Sequence, residues 1–358
     1  MTTMAAYKAS EKRWKGRDEQ DILQDEQIID LRNLSERQRK LVRQVGTFQW
    51  DDAHRPQPVL EFGAFGESHR GFLVIPNALN ALAQLRIAHA SLTEFTEEPH
   101  RTNMHLQNEH VPHIWNKARE KYPLDTAKSK LLGRLHWAAS GFHYDWTARK
   151  YHRGQFSEVP PLLEQLGSRV AQACGMSLVA EAVIVNFYKK SSTMGGHQDD
   201  VEYTMDHPVV SLTLGSSAVF LKGGLSKDEA PLQTFLRSGD IAVMGGNSRL
   251  SFHGVARVLP TPFQIEEDDW TALLAGEVAE QEDNFHAIRK YLGQNRININ
   301  IRQVYALGAK QKAEEEEADG GDKGRDDDRS SKSERCLQVT DADADPSCDH
   351  PSGSDASK

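Results

Sequence analysis

The stretch Arg296-Ile297-Asn298-Ile299-Asn300-Ile301-Arg302 alternates polar and apolar residues without a break. In an extended chain successive side chains point to opposite faces, so the three isoleucines share one face and Arg296, Asn298, Asn300 and Arg302 share the other. The isoleucine face requires a core to pack against. The opposite face carries two guanidiniums roughly 20 Å apart at the backbone by the strand rise, which is a costly filling for an ordinary interior. A dicarboxylate between them would justify both, because long side chains lean inward and Arg pairs planar carboxylates bidentately. A solvated edge strand is the alternative.

Outward from this strand, the twofold period recurs throughout the half of the chain after Gly175. It predicts strands over 180–188, 209–214, 218–221, 240–244, 251–255 and 296–304, separated by Gly, Ser, Asn and Pro turns. Short strands in succession, mostly without helices between them, predict an antiparallel sandwich or barrel rather than a parallel βαβ sheet. Before Gly175 the period is helical. Leu163, Leu166, Val170 and Cys174 recur at intervals of 3, 4 and 4, with Pro160 and Pro161 ahead and Gly175 behind. GFLVIP at 71–76 predicts a short strand, and Leu79, Leu82 and Leu85 a helix over 77–94.

Three segments lie outside that pattern. Residues 1–68 read as a polar, helical N-terminal extension with a broken stripe of Ile22, Ile28, Ile29, Leu31, Leu34 and Leu41. Residues 261–290 are acidic and partly helical, an insert leaving the barrel of the 69–308 domain. Residues 309–358 contain EEEE and GDKGRDDDR and predict an acidic disordered tail.

The chain has 358 residues, 43 Lys+Arg against 52 Asp+Glu, for a net charge of −9. The tail holds 15 acids and 8 bases and so accounts for −7, leaving the body near neutral and compatible with a polyanionic partner. No apolar run approaches the ~20 residues of a membrane span. The first twenty residues offer no apolar core for a secretory leader. Cys174, Cys336 and Cys348 form neither a disulfide framework nor a zinc spacing. A nuclear or cytoplasmic location is expected; a Lys and no acid in the first ten residues leaves mitochondrial import open, although Glu11, Asp18 and Glu19 make a poor transit peptide.

Among the predicted strands stands His197-Gln198-Asp199, preceded by Met194-Gly195-Gly196. If the segment is extended, residues i and i+2 share a face and can converge on one ion. His253 offers a third ligand from another strand, where Arg249, Ser251 and His253 alternate with Leu250 and Phe252. Two imidazoles and a carboxylate leave open positions on an octahedral ion, the donor set of non-haem Fe(II) oxygenases. Asn186 and Tyr188, again i and i+2, are placed to hydrogen-bond the same anion as the arginines.

Taken together, Asn186-Phe187-Tyr188, His197-Gln198-Asp199, PVVSLTLG with AVFLKGG, GDIAVMGGNSRLSFHG and RININIR resemble, in order and over roughly 71–308, the AlkB family of Fe(II)- and 2-oxoglutarate-dependent dioxygenases. WAASGFHYDW, GGLSKDEAP and Met244 look most like the eukaryotic AlkB homologue one subfamily. The resemblance implies an α+β fold, a double-stranded β-helix (jelly-roll) core with flanking helices. It implies Fe(II) on His197, Asp199 and His253, which are also the catalytic residues. It implies 2-oxoglutarate held by Asn186, Tyr188, Arg296, Asn298, Asn300 and Arg302, and O2 as oxidant. Trp137, Phe142, His143 and Tyr144 match the aromatic lid that contacts a flipped base.

The implied activity is oxidative demethylation of N-methylated adenine, as DNA N6-methyladenine or tRNA N1-methyladenine, with DNA or tRNA as partner, no membrane and no oligomeric state specified. Val201 and Met244 stand where the bacterial enzyme has an Asp and a base-stacking Trp, so its substrate preference does not transfer. Two other readings stay open. In one, a protein oxygenase uses Trp137 and Tyr144 as a cage for methyl-lysine. In the other, a non-catalytic barrel binds nucleic acid and neither takes up iron nor turns over 2-oxoglutarate.

Overall fold

A computed structural model describes residues 5–52, 54–190, 192–275, 279–306 and 340–341. In chain order the strands begin with β1 (Ile28–Asp30), β2 (Arg43–Phe48), β3 (Gln57–Glu61), β4 (Phe72–Ile75), β5 (Arg101–Thr102), β6 (Trp137–Asp145), β7 (Lys150–Ser157) and β8 (Ala182–Tyr188). They continue with β9 (Ser192–His197), β10 (Val209–Gly215), β11 (Ser217–Lys222), β12 (Leu232–Leu236), β13 (Ile241–Met244), β14 (His253–Leu259), β15 (Arg296–Arg302) and β16 (Thr340–Asp341). The helices are α1 (Ala6–Trp14), α2 (Glu19–Leu23), α3 (Glu36–Arg39), α4 (Ala81–Thr93), α5 (Ile114–Lys121), α6 (Pro161–Ala173), α7 (Glu267–Leu274) and α8 (Ala279–Leu292). No helix among the described residues is long and apolar enough to cross a membrane.

The RININIR strand is central, not an edge. β15 pairs antiparallel with β10 on one side and β8 on the other, inside a sheet ordered β2-β3-β4-β13-β10-β15-β8-β6-β5, with β7 added to β6. The second sheet runs β1-β12-β11-β14-β9-β16. Side chains from both sheets, among them Val74, Tyr188, Val209, Ala218, Phe220 and Val255, share one apolar interior. This is the expected jelly roll.

Alternation on β15 divides two environments. Ile297, Ile299 and Ile301 are fully buried in a larger core with Val183, Val185 and Phe187 of β8 and residues of α4, α6 and α8. Gly167 on α6 allows this close approach, because a Cβ there would sit 3.0 Å from Ile301 Cγ2. Arg296, Asn298 and Arg302 are buried on the other, interior face.

Two sequence expectations are corrected. Residues 5–61 are not a helical extension: besides short helices they supply β1, which pairs parallel with β12, and β2 and β3, which extend the large sheet through β4. On α1, Tyr7 and Trp14 are buried against the second sheet, with Tyr7 Oη donating to Leu221 O (3.1 Å) and Trp14 Nε1 to Gln233 Oε1 (2.6 Å). The polar residues between these anchors hid a docking face that only two aromatics define. Likewise the described residues of 261–290 do not leave the barrel. Trp270, Leu273, Phe285, Ile288, Tyr291 and Leu292 are buried in the main core beside α4, while Glu267, Asp268, Glu282, Asp283 and Lys290 lie exposed on the outer side of α7 and α8.

The sequence pattern also missed β9, β12 and the β6–β7 hairpin. Of the tail from 309 onward, only Thr340–Asp341 is described, as a two-residue strand on Ser192 and Thr193 of β9; the rest of the expected disordered segment lies outside the described residues.

If α1 is part of the fold, Trp14→Ala should lower unfolding free energy by about 3–5 kcal/mol, the range for truncating a buried aromatic. Urea denaturation followed by tryptophan-independent circular dichroism checks this; a loss under about 0.5 kcal/mol would return residues 5–14 to the status of an appendage.

Candidate metal and anion centre

The second sheet positions the metal-ligand candidates. His197 ends β9 and His253 starts β14, and the two residues are direct cross-strand partners. Their rings lie 4.3 Å apart. Asp199 follows two residues after β9, with its Oδ1 3.9 Å from His197 Nε2 and its Oδ2 3.8 Å from His253 Nε2. These three donor atoms lie within 4.8 Å of one another. Each imidazole uses Nδ1 on a carbonyl, His197 on Gly195 O (3.0 Å) and His253 on Ser251 O (3.1 Å). Nε2 is thereby left as the ligating nitrogen on both rings. The donor set fits a ferrous ion.

The backbone here is sealed from behind by α1. A Cβ on Gly196 would sit 2.4 Å from Tyr7 Cε1, and Gly196 N–H donates to Glu11 Oε1 at 2.8 Å. Any larger residue at 196 would displace either Tyr7 or the strand carrying His197.

Burial acts to raise the Asp199 pKa, but the Arg302 guanidinium, His253, His197 and Arg249 outweigh it and hold the carboxyl well below the usual carboxylate range. Burial, followed by the charge of His197, pushes His253 down from 6.5 to about 3. The ring is therefore a neutral imidazole, the form that binds metal.

The two arginines of β15, read from the sequence as the pair holding 2-oxoglutarate, meet different partners within the chain. Arg302 donates from Nε (3.2 Å) and Nη2 (2.8 Å) to Asp199 Oδ2. It also lies 3.6 Å from Glu202, which accepts from Arg249 Nη2 (2.9 Å) and from Tyr151 Oη (3.0 Å). Arg249 Nη1 in turn donates to Asp199 O at 2.5 Å. Arg296 has no such partner: Nη2 donates to Thr213 Oγ1 (3.0 Å), its guanidinium lies 5.0 Å over the Tyr188 ring, and Nε and Nη1 have no acceptor among the described residues. At 1% exposure, two unpaired donors on a cation are a large desolvation cost. A planar carboxylate would offset it, so the chain's own residues fit an anionic cosubstrate.

The other predicted anion residues sit around it. Tyr188 is the cross-strand partner of Arg296, and Asn186 that of Asn298. Asn298 Nδ2 donates to Ser211 Oγ (2.9 Å) and Leu212 O (3.0 Å), and Asn300 Nδ2 to Asn298 Oδ1 (3.1 Å). One row across the sheet runs Trp137, Asn186, Asn298, Thr213, which links the aromatic strand β6 to the anion residues.

Trp137, Phe142, His143 and Tyr144 all line one cavity of about 380 Å³, joined by Trp146, Tyr151 and Arg101. Phe142 also packs edge-on against Tyr305. Burial, then Arg101, His100 and His105, push His143 down to about 4, so its ring is neutral, and its Nδ1 has no partner among the described residues. Tyr151 connects this cavity to the metal site: it is a wall of the first and, through Glu202, part of the network holding Asp199.

Sequence reasoning missed that network. Glu202 and Tyr151 gave no periodic signal, and Arg249 stood only as an alternating neighbour of His253. It also missed Lys222, fully buried at the cross-strand position of His253, whose ammonium donates to Ser68 O, Ser251 Oγ (3.0 Å) and His69 Nδ1 (3.1 Å). Burial pushes Lys222 down to about 7 and His69 to about 4. A cation ending the apolar run AVFL was the one available clue.

The model of the 2OG-Fe(II) oxygenase superfamily matches residues 71–302, from the turn into β4 to Arg302 itself, and the chain belongs to that superfamily. Within it the curated relatives include AlkB proteins of the homologue one group. The mouse protein "Nucleic acid dioxygenase ALKBH1" is 35% identical over 268 residues, covering 70% of this chain and 69% of its own. The Arabidopsis thaliana "DNA N(6)-methyladenine demethylase ALKBH1A" is 33% identical over 270 residues, covering 67% and 76%. The Schizosaccharomyces pombe "tRNA demethylase abh1" is 33% identical over 178 residues, covering 48% and 53%.

Two outcomes follow for the metal site. Arg302→Ala should weaken Co(II) binding about 10- to 100-fold, as loss of a ligand's orienting partner does; calorimetric titration of the metal-free chain reads it, and an unchanged affinity would remove Arg302 from the support of Asp199. Because the folded chain holds His253 near 3 while an unfolded His titrates near 6.5, the unfolded state takes the proton first. Stability of the metal-free protein should therefore fall as pH drops from about 6.5 toward about 3, and His253→Leu should flatten the part of this slope lying above pH 5.

Proposed function

We propose that this Fe(II)/2-oxoglutarate dioxygenase removes methyl groups oxidatively from N-methylated adenine in nucleic acid, as DNA N6-methyladenine or tRNA N1-methyladenine. The observation that carries the reading is the aromatic cavity of about 380 Å³ whose wall residue Tyr151 donates to Glu202, which lies beside Arg302, the partner of Asp199 in the metal triad. Names borne by relatives support it: two are called a DNA N(6)-methyladenine demethylase and a tRNA demethylase.

When bound, iron on His197, Asp199 and His253 and 2-oxoglutarate supply the oxidative hydroxylation by O2. The chain supplies the rest. Arg296 takes a carboxylate of the cosubstrate on Nε and Nη1, with Tyr188 and Asn186 beside it and Asn298 and Asn300 bracing the same strand face. Arg302 and Arg249 keep Asp199 ionised and oriented.

Trp137 and Tyr144 offer ring faces for a base, a contact worth about 1–3 kcal/mol per base. Phe142 and His143 complete the lining, and His143, being neutral, does so without burying a charge. A methyl group inside a duplex cannot reach this enclosed site, so the base must be extruded or unpaired. The hydroxymethyl amine left by hydroxylation falls apart to the bare amine and formaldehyde.

Anaerobic reconstitution with Fe(II), then aerobic incubation with 2-oxoglutarate and either tRNA or genomic DNA, tests this by mass spectrometry of the nucleosides. Loss of methyladenine with stoichiometric formaldehyde is expected. Release of formaldehyde from a methylated peptide alone would transfer the enzyme to protein substrates. Arg296→Ala should raise the 2-oxoglutarate requirement at least ~30-fold, corresponding to about 2 kcal/mol for an unpaired buried charge; an unaltered requirement would place the cosubstrate elsewhere.

A further inference from the structure

Outside the cavity, one group of aromatic side chains is left unused by the reading above. Tyr203 is 59% exposed, four residues after Asp199. Its ring stacks on Tyr305 at 5.1 Å between centroids and 10° between planes. Tyr305 is buried and meets Phe142 edge-on at 5.0 Å and 78°, and Phe142 is a wall of the cavity. Rings therefore run without a gap from the cavity wall to solvent.

This row is held rigidly. Tyr203 N–H donates to Val304 O at 2.8 Å, and the N–H groups of Val304 and Tyr305 both donate to Glu181 Oε2, at 2.8 and 2.7 Å. A lone exposed tyrosine is ordinary. A ring fixed by its backbone, backed by a parallel ring and open on its outer side is a preformed surface that loses little freedom when something stacks on it.

Cations stand beside it, together with the carboxylates of Glu181 and Asp200. Arg153 lies 4.8 Å over the Tyr305 ring, and Arg149, Lys150 and Arg153 are exposed at the β6–β7 hairpin. Asp200 offsets only Arg149, at 3.5 Å. Cations interleaved with a flat aromatic face match a chain of phosphates carrying bases.

We propose that Tyr203, backed by Tyr305, is a stacking platform for a base neighbouring the one in the cavity, with Lys150 and Arg153 on the adjacent phosphates. This rests on the nucleic-acid reading and extends it from one base to its flank. A duplex keeps its bases stacked on one another and offers no free face to Tyr203.

The test is fluorescence anisotropy of an unmethylated single-stranded oligonucleotide, and of the blunt duplex of the same sequence, with the Fe(II)-loaded full chain kept anaerobic. The wild type should prefer the single strand. Tyr203→Ala should weaken that binding roughly 5- to 150-fold, the span of one lost base stack, with the same dependence on salt, whereas Tyr203→Phe keeps the ring and should bind as the wild type does. Lys150→Ala should lower the salt slope by about one. Wild-type affinity in Tyr203→Ala, or equal loss in Tyr203→Phe, overturns the platform while the nucleic-acid reading stands. If the wild type binds neither oligonucleotide, that reading and the platform fall together.

Discussion

The burial of charge on the interior face of β15 is the constraint on which the rest depends. A central strand is covered on both faces, and its period of two sends Ile297, Ile299 and Ile301 to the helices while committing Arg296 and Arg302 to the inside of the jelly roll. A guanidinium cannot be discharged at any working pH, so each must find an anion or leave an unpaired charge in a low dielectric. Arg302 meets Asp199 within the chain. Arg296 meets nothing comparable, and the fold tolerates this because binding a carboxylate completes it.

The pairing of Arg302 with Asp199 explains why a carboxylate can sit buried between two imidazoles without being neutralised. Burial alone would raise its pKa; Arg302, Arg249 and the histidines reverse the sign. The two arginines are balanced by Glu202, which also accepts from Tyr151 Oη. Metal site and base-sized cavity are thus parts of one buried network, and removing any member leaves a charge or a hydroxyl without its partner, which is more costly than never having built the pair.

The second sheet owes its order to elements with little independent stability. β1 has three residues, and α1 contributes two deeply buried aromatics. Short segments of this kind do not hold structure alone. Docked together, they close the edge at β12 and cover the back of β9, so Gly196 fits under Tyr7 directly before His197. The geometry of the triad is therefore set partly by residues almost two hundred positions away.

What the sequence by itself determined was whatever has a local period or a family motif: the two faces of β15, the strands after Gly175, helix α6, and the set His197, Asp199, His253, Arg296. Those signals survive because alternation and spacing are properties of the chain before it folds. Tertiary structure decided the matters that turn on distance between remote groups. It gave Arg302 to Asp199 and left Arg296 open, and it recruited Glu202 and Tyr151, whose burial no neighbouring residue announces. It also drew residues 5–61 and α7–α8 into the body. Polar composition hid those segments, since a helix or strand needs only a few apolar side chains to dock, and which face they form is fixed only when a partner surface exists to receive them.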